Sequence, residues 1–118
     1  MTSYTAFSRH RNQEVCNRFL DLVAQHFTDQ RCVKFYADQL CYTPKYLARL
    51  ILDASGKTAT EHIDAHVIDR AKSLIGSYQY TMGEISEMLH FSTQANFSRF
   101  FKHETGITPR QYSESIGK

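Results

Sequence analysis

Two stretches of this chain repeat each other, and the repeat limits what the chain can fold into. Leu47-Ala48-Arg49-Leu50-Ile51 lies 50 positions before Phe97-Ser98-Arg99-Phe100-Phe101, and Gly56 and Thr58 lie 50 before Gly106 and Thr108. Upstream the offset falls to 49: Val33, Tyr36 and Ala37 correspond to Met82, Ile85 and Ser86. The second copy therefore has one extra residue in its turn. Two copies, rather than three or more, indicate a duplicated supersecondary unit and not a solenoid.

Each copy is helical by its spacing. Val15, Phe19, Leu22 and Val23 recur at helical intervals, as do Val33, Tyr36 and Leu40, and Leu47, Leu50 and Ile51. Further stripes follow: Ile63, Val67, Ala71 and Leu74, then Met82, Ile85 and Leu89, then Phe97, Phe100 and Phe101. Both prolines, Pro44 and Pro109, follow a threonine. Thr-Pro sets a capping oxygen at the N-cap and puts the ring where its missing N–H costs nothing. Thr58…Glu61, Thr81…Glu84 and Thr108…Gln111 fit the reciprocal capping box. Gly56, Gly76 and Gly106 are placed to end helices. The pattern predicts helices over 13–27, 33–40, 44–54, 59–75, 82–89 and 93–104, with a short one from Pro109. No long period-two alternation and no Asn-Gly or Asp-Gly hairpin signal appears. The fold class is all-α.

A short helix, a tight turn and a second helix opened by a capping threonine, with a small residue (Ala37 or Ser86) where the helices must cross, is the helix-turn-helix pattern. Residues 33–112 resemble the DNA-binding domain of the AraC/XylS family of bacterial transcription regulators. The family signature, F-x-R-x-F-K-x-x-x-G-x-T-P-x-x-Y, stands here as Phe97-Ser-Arg99-Phe-Phe101-Lys102-His-Glu-Thr-Gly106-Ile-Thr108-Pro109-Arg-Gln-Tyr112. The resemblance implies two helix-turn-helix subdomains, about 13–57 and 77–118, joined by a central linking helix over about 58–76. Residues 1–12 are then a frayed end or a cut linker. The chain departs from the family at the turns, where Cys41 and His90 replace the usual glycine, and in the linking helix, where Val67 replaces an arginine.

The second helix of each copy carries the candidate site. From Thr93 onward the aromatics share one side, and Gln94, Ala95, Asn96 and Arg99 cluster toward the N-terminal end and the opposite side. Gln bonds adenine bidentately, Arg bonds guanine, Asn offers the same amide on a shorter stem, and Ala meets a thymine methyl. In the first copy the resemblance gives Lys45, Ala48 and Arg49 the groove-facing positions. Lys102 is expected on phosphate rather than base. The helix N-termini at Thr43 and Thr93 are expected to offer N–H groups to phosphate. A linking helix about 25 Å long would hold both helices on one DNA face, in successive major grooves about 34 Å apart.

The implied partner is double-stranded DNA, met by a monomer, with RNA polymerase as a further partner if the protein activates. A net charge of +2 leaves DNA binding to the distribution of charge rather than its sum. The rival is an all-α protein-interaction module that kept the fold and lost DNA binding. His62 and His66, with Asp69 nearby, have metal-ligand spacing, but no H-E-x-x-H motif or cysteine pair joins them. No metal, no cofactor and no enzymatic activity is assigned, since no nucleophile–base constellation or phosphate loop is visible. The absence of a long apolar run and the polar start predict a cytoplasmic chain without membrane span or signal peptide. Three cysteines without C-x-x-C spacing read as reduced, partly buried thiols. At 118 residues the chain spans one DNA-binding domain, as an excised fragment of a longer regulator or as a small stand-alone one.

Overall fold

A computed structural model describes the backbone over residues 2–117 and side chains over residues 11–117. The described residues form seven helices: α1 (Thr2–His26), α2 (Val33–Leu40), α3 (Pro44–Ser55), α4 (Ala59–Ser77), α5 (Met82–Met88), α6 (Gln94–Thr105) and α7 (Pro109–Ile116). None of them is long and apolar enough to cross a membrane. Helix α1 begins well upstream of the expected 13, because the polar segment before Val15 continues the helical backbone. The expected end or linker over 1–12 falls largely on side chains outside the described residues. The chain divides within α4 into two compact units, Met1–His66 and Val67–Lys118.

In the first unit α1 packs on α2 and α3. Phe19, Val23, Tyr36, Ala37, Leu47 and Ile51 are fully buried. Tyr36 meets Phe19 edge-on at 5.4 Å, and its hydroxyl donates to the Gln30 carbonyl at 2.6 Å. That bond fixes the loop between α1 and α2. Burial, reinforced by Asp29 and opposed by Arg31, pushes the Tyr36 phenol up to about 12. It therefore stays a neutral donor. Arg31 donates to the Phe27 and Thr28 carbonyls at 3.1 and 3.4 Å, closing the C-terminal end of α1. In the second unit α6 packs on α5 and α7. Ile85, Leu89, Phe97 and Phe101 are fully buried, and Phe97, Phe101 and Tyr112 form a run of ring contacts at 6.0 and 5.7 Å.

The two units use the same local devices. Each helix-turn-helix turn passes through a left-handed residue, Cys41 at φ 64° and His90 at φ 61°. The next amide, of Tyr42 or Phe91, donates to the carbonyl of the buried small residue, Ala37 or Ser86, at 2.9 Å in both cases. Thr43 and Thr93 cap α3 and α6 by accepting from Tyr46 N and Asn96 N at 3.2 and 3.0 Å. Gly56 and Gly106 end those helices at φ 75° and 88°. The three capping boxes form as expected, with both bonds present in each.

Four expectations need correction. Gly76 does not end a helix. Helix α4 continues through Ser77, and Tyr78 takes the left-handed position at φ 57°. Its hydroxyl donates to the Ser113 carbonyl at 3.1 Å, which offsets the strain of a side chain there. Phe100 is half-buried rather than core, lying against Phe91 at 5.3 Å. Val33 and Met82 are also half-buried, since each opens its helix. All three cysteines are free, but only Cys16 is buried; Cys32 and Cys41 are exposed.

Phe97→Ala and Phe101→Ala should each destabilise the protein by about 3–5 kcal/mol, because each empties a buried ring site. Denaturant titration measures this, and unchanged melting would place the core on another face of α6. Cys41→Gly should raise stability by about 0.5–1 kcal/mol. It removes a left-handed penalty of about 1–2 kcal/mol and adds part of the chain entropy that glycine loses on folding. A lower midpoint would mean that the Cys41 side chain makes a contact worth more than the strain.

Candidate nucleic-acid interface

The interface is built by burying one side of a helix and leaving the other in water. In α3, Leu47, Leu50 and Ile51 are buried, while Thr43, Lys45, Tyr46 and Arg49 are exposed and Ala48 is half-buried. In α6, Phe97 and Phe101 are buried, while Thr93, Gln94, Ala95, Arg99 and Lys102 are exposed and Asn96 is half-buried. The arginines, 50 positions apart, stand at matching places on the exposed sides. Among the described residues Lys45, Arg49, Arg99 and Lys102 form no ion pair with a carboxylate. The exposed His103 pairs with the adjacent Glu104 at 3.8 Å.

The two helices differ at their N-termini. Pro44 has no N–H, and Tyr46 N is taken by the Thr43 cap, so the first turn of α3 leaves the Lys45 amide without an intrahelical partner. Helix α6 has no proline there and leaves two such amides, of Gln94 and Ala95. Gln94 extends back toward α5, its Oε1 3.5 Å from where a Cβ on Gly83 would stand. Asn96 donates through Nδ2 to Ser92 Oγ at 2.6 Å and accepts from Arg99 Nη2 at Oδ1. In the first unit Tyr46 stands where α6 has Asn96, and its ring lies against that of Tyr42 in the preceding turn, with centroids 5.5 Å apart. Tyr46 is 47% exposed.

Sequence reasoning missed Tyr46 and Ser92. A tyrosine three residues after a capping threonine reads as core by composition, and only the helix phase set by Leu47 and Ile51 shows that it faces out. Ser92 is the extra residue of the second turn, lying between the left-handed His90 and the N-cap Thr93, where the first turn has only Tyr42.

The histidines with metal-ligand spacing are engaged inside the first unit. His62 Nε2 lies 2.9 Å from Ser55 Oγ, and its ring meets Phe19 edge-on at 6.2 Å. His66 Nδ1 lies 3.0 Å from the His62 carbonyl, and its ring packs on Phe27 at 5.8 Å. Asp69 is exposed in the second unit.

In each unit the geometry is a helix-turn-helix whose second helix shows a polar, cationic side to the exterior. The helix-turn-helix domain family matches residues 36–115, and the chain belongs to it, as an AraC-type member. The fold is similar to that of the C-terminal domain of AraT, a response regulator from Geobacillus stearothermophilus, with TM-score 0.79 and 27% identity over 86% of this chain and 84% of that one. It is also similar to an AraC-type transcriptional regulator from Chromobacterium violaceum, with TM-score 0.79 over 90% of this chain and 95% of that one, at 18% identity. In sequence it is 24% identical over 102 residues to YtdP and 26% identical over 94 residues to YobQ, both uncharacterized helix-turn-helix-type transcriptional regulators of Bacillus subtilis. These matches cover 86% and 80% of this chain but 13% and 39% of the relatives.

Burial, reinforced by Lys57 and His66 and opposed by Glu61, holds His62 below its ordinary value of 6.5. The folded protein thus favours neutral imidazole, and the unfolded chain takes up the proton first. That stabilisation is complete above about pH 6.5 and is lost as pH falls through the lowered folded value. Melting temperature should therefore drop more steeply on acidification from about pH 8 to about pH 5 in the wild type than in His62→Gln. Parallel curves would show that His62 carries no such linkage.

Proposed function

We propose that this chain binds double-stranded DNA sequence-specifically as the DNA-binding part of a transcription regulator. Helices α3 and α6 each enter a major groove. The single observation that supports this best is the matched pair of exposed arginines, Arg49 and Arg99, on helices whose opposite sides are buried, with no carboxylate among the described residues pairing with either one. The AraC-type membership points the same way.

The roles follow from reach and chemistry. Arg99 carries a planar donor fork suited to guanine O6 and N7. Gln94, Ala95 and Asn96 share its side of α6 and complete the base-reading set, with Ala95 suited to a thymine methyl. In α3, Lys45, Ala48 and Arg49 take that part, with Ala48 limited by its half-burial. Lys102, later on α6, serves phosphate, as do the amides beside Thr43 and Thr93. Two units with different surfaces need no palindrome, so a monomer reads an asymmetric site of about two helical turns. RNA polymerase is a further partner if the protein activates, and a cytoplasmic location goes with that role.

Arg99→Ala and Lys102→Ala separate the roles. On the best site and on random duplex, across a salt series, Arg99→Ala should lose about 1–3 kcal/mol on the best site and relax one base position. Lys102→Ala should weaken all duplexes about equally and lower the salt slope by about one. If Arg99→Ala lowers both affinities by the same factor, Arg99 reads no base.

A further inference from the structure

The exposed side of α6 carries a hydrogen-bonded chain that its counterpart on α3 lacks. Asn96 bridges it, donating to Ser92 Oγ at 2.6 Å and accepting from Arg99 Nη2. The chemistry fixes the direction. A guanidinium has donors only, so the Asn96 oxygen must face Arg99, and the amide nitrogen must then face the serine hydroxyl, which can accept. The amide nitrogen and oxygen of Asn96 thus each make one bond within the chain. The backbone of Asn96 is anchored as well, since its N–H is the donor held by the Thr93 cap at 3.0 Å.

We infer that Asn96 is a positioning residue. It holds the Arg99 guanidinium in one orientation on α6 before any duplex arrives, and does not itself read a base. This rests on the DNA-binding reading above and revises the role of Asn96 within it. The physical gain is entropy paid in advance. Arginine has a long rotamer-rich stem, and ordering such a side chain on binding costs affinity that a preorganised one keeps. A neutral amide is suited to the task. A carboxylate in the same place would also hold Arg99, but it would cancel the charge and repel the phosphate backbone.

The duplicated unit supplies an internal control. Arg49 occupies the matching position in α3, with Tyr46 where α6 has Asn96, and no side-chain hydrogen bond holds it among the described residues. Ser92, the far end of the chain, is the residue added to the second turn. The extra residue therefore extends the chain by anchoring the far side of the Asn96 amide.

Two measurements on the intact chain test this. The first needs no DNA: 15N relaxation of the arginine Nε–Hε groups in the free protein. Arg99 should be more ordered than Arg49, and Asn96→Ala or Ser92→Ala should bring it toward the level of Arg49. Alanine leaves the Thr93 cap intact, because the capped group is backbone. The second is a double-mutant cycle read as the ratio of best-site to random-duplex affinity. Asn96→Ala should lower that ratio by roughly 2- to 10-fold in the wild-type background. In the Arg99→Ala background it should leave the ratio unchanged. An Arg99 as mobile as Arg49 in the wild type overturns the inference. So does an equal loss in both backgrounds, which would make Asn96 a reader in its own right. If the wild type prefers no duplex at all, the DNA-binding reading fails, and the relaxation comparison still decides whether Asn96 holds Arg99.

Discussion

Each helix-turn-helix depends on one backbone carbonyl. The carbonyl of the buried small residue, Ala37 or Ser86, accepts the amide of the residue just past the left-handed turn, at 2.9 Å in both units. The same residue thus does two things. Its small side chain lets the second helix come close, and its carbonyl ties down the turn that aims that helix. Once the turn is set, the capping threonine fixes where α3 or α6 begins. The helix phase then follows, with Leu47 and Ile51 or Phe97 and Phe101 inward and the arginine outward. A larger residue at 37 or 86 would break the crossing and misdirect the polar face together.

The duplication is close in backbone and divergent in surface. Ser55 and Thr105, also 50 positions apart, fold their hydroxyls onto the carbonyls of Ile51 and Phe101 at 2.7 and 2.8 Å. Each also reaches the carbonyl just past the following glycine, that of Lys57 or Ile107, at 3.2 and 3.0 Å. The C-terminal ends of α3 and α6 are thus closed alike. Their N-terminal ends are not: one carries Pro44 and a tyrosine pair, the other two amides without intrahelical partners and the Ser92–Asn96–Arg99 chain.

What was legible in the sequence was what local chemistry determines. A threonine followed three residues later by glutamate or glutamine gave all three capping boxes, since both bonds lie within one turn of chain. Apolar spacing gave α2 to α7 to within a residue or two. Gly76 misled because a glycine near a helix end need not take the left-handed place; Tyr78 does so, held by a bond to Ser113, 35 positions later. Such a long-range contact leaves no trace in local pattern. The extension of α1 was missed because polar residues without an apolar stripe give no helical period. At the candidate site, Arg49 and Arg99 were legible from the repeat. The bridging part of Asn96 was not, because it depends on rotamers that only the folded helix sets.

The central claim is that two unlike cationic helix faces read duplex DNA together. Selection of bound sites from a random duplex library by the intact chain tests it most directly. The expected result is enrichment of an asymmetric site with two informative segments about one helical turn apart, bound by one chain. No enrichment over random duplex, or a strict palindrome bound by two chains, would contradict it.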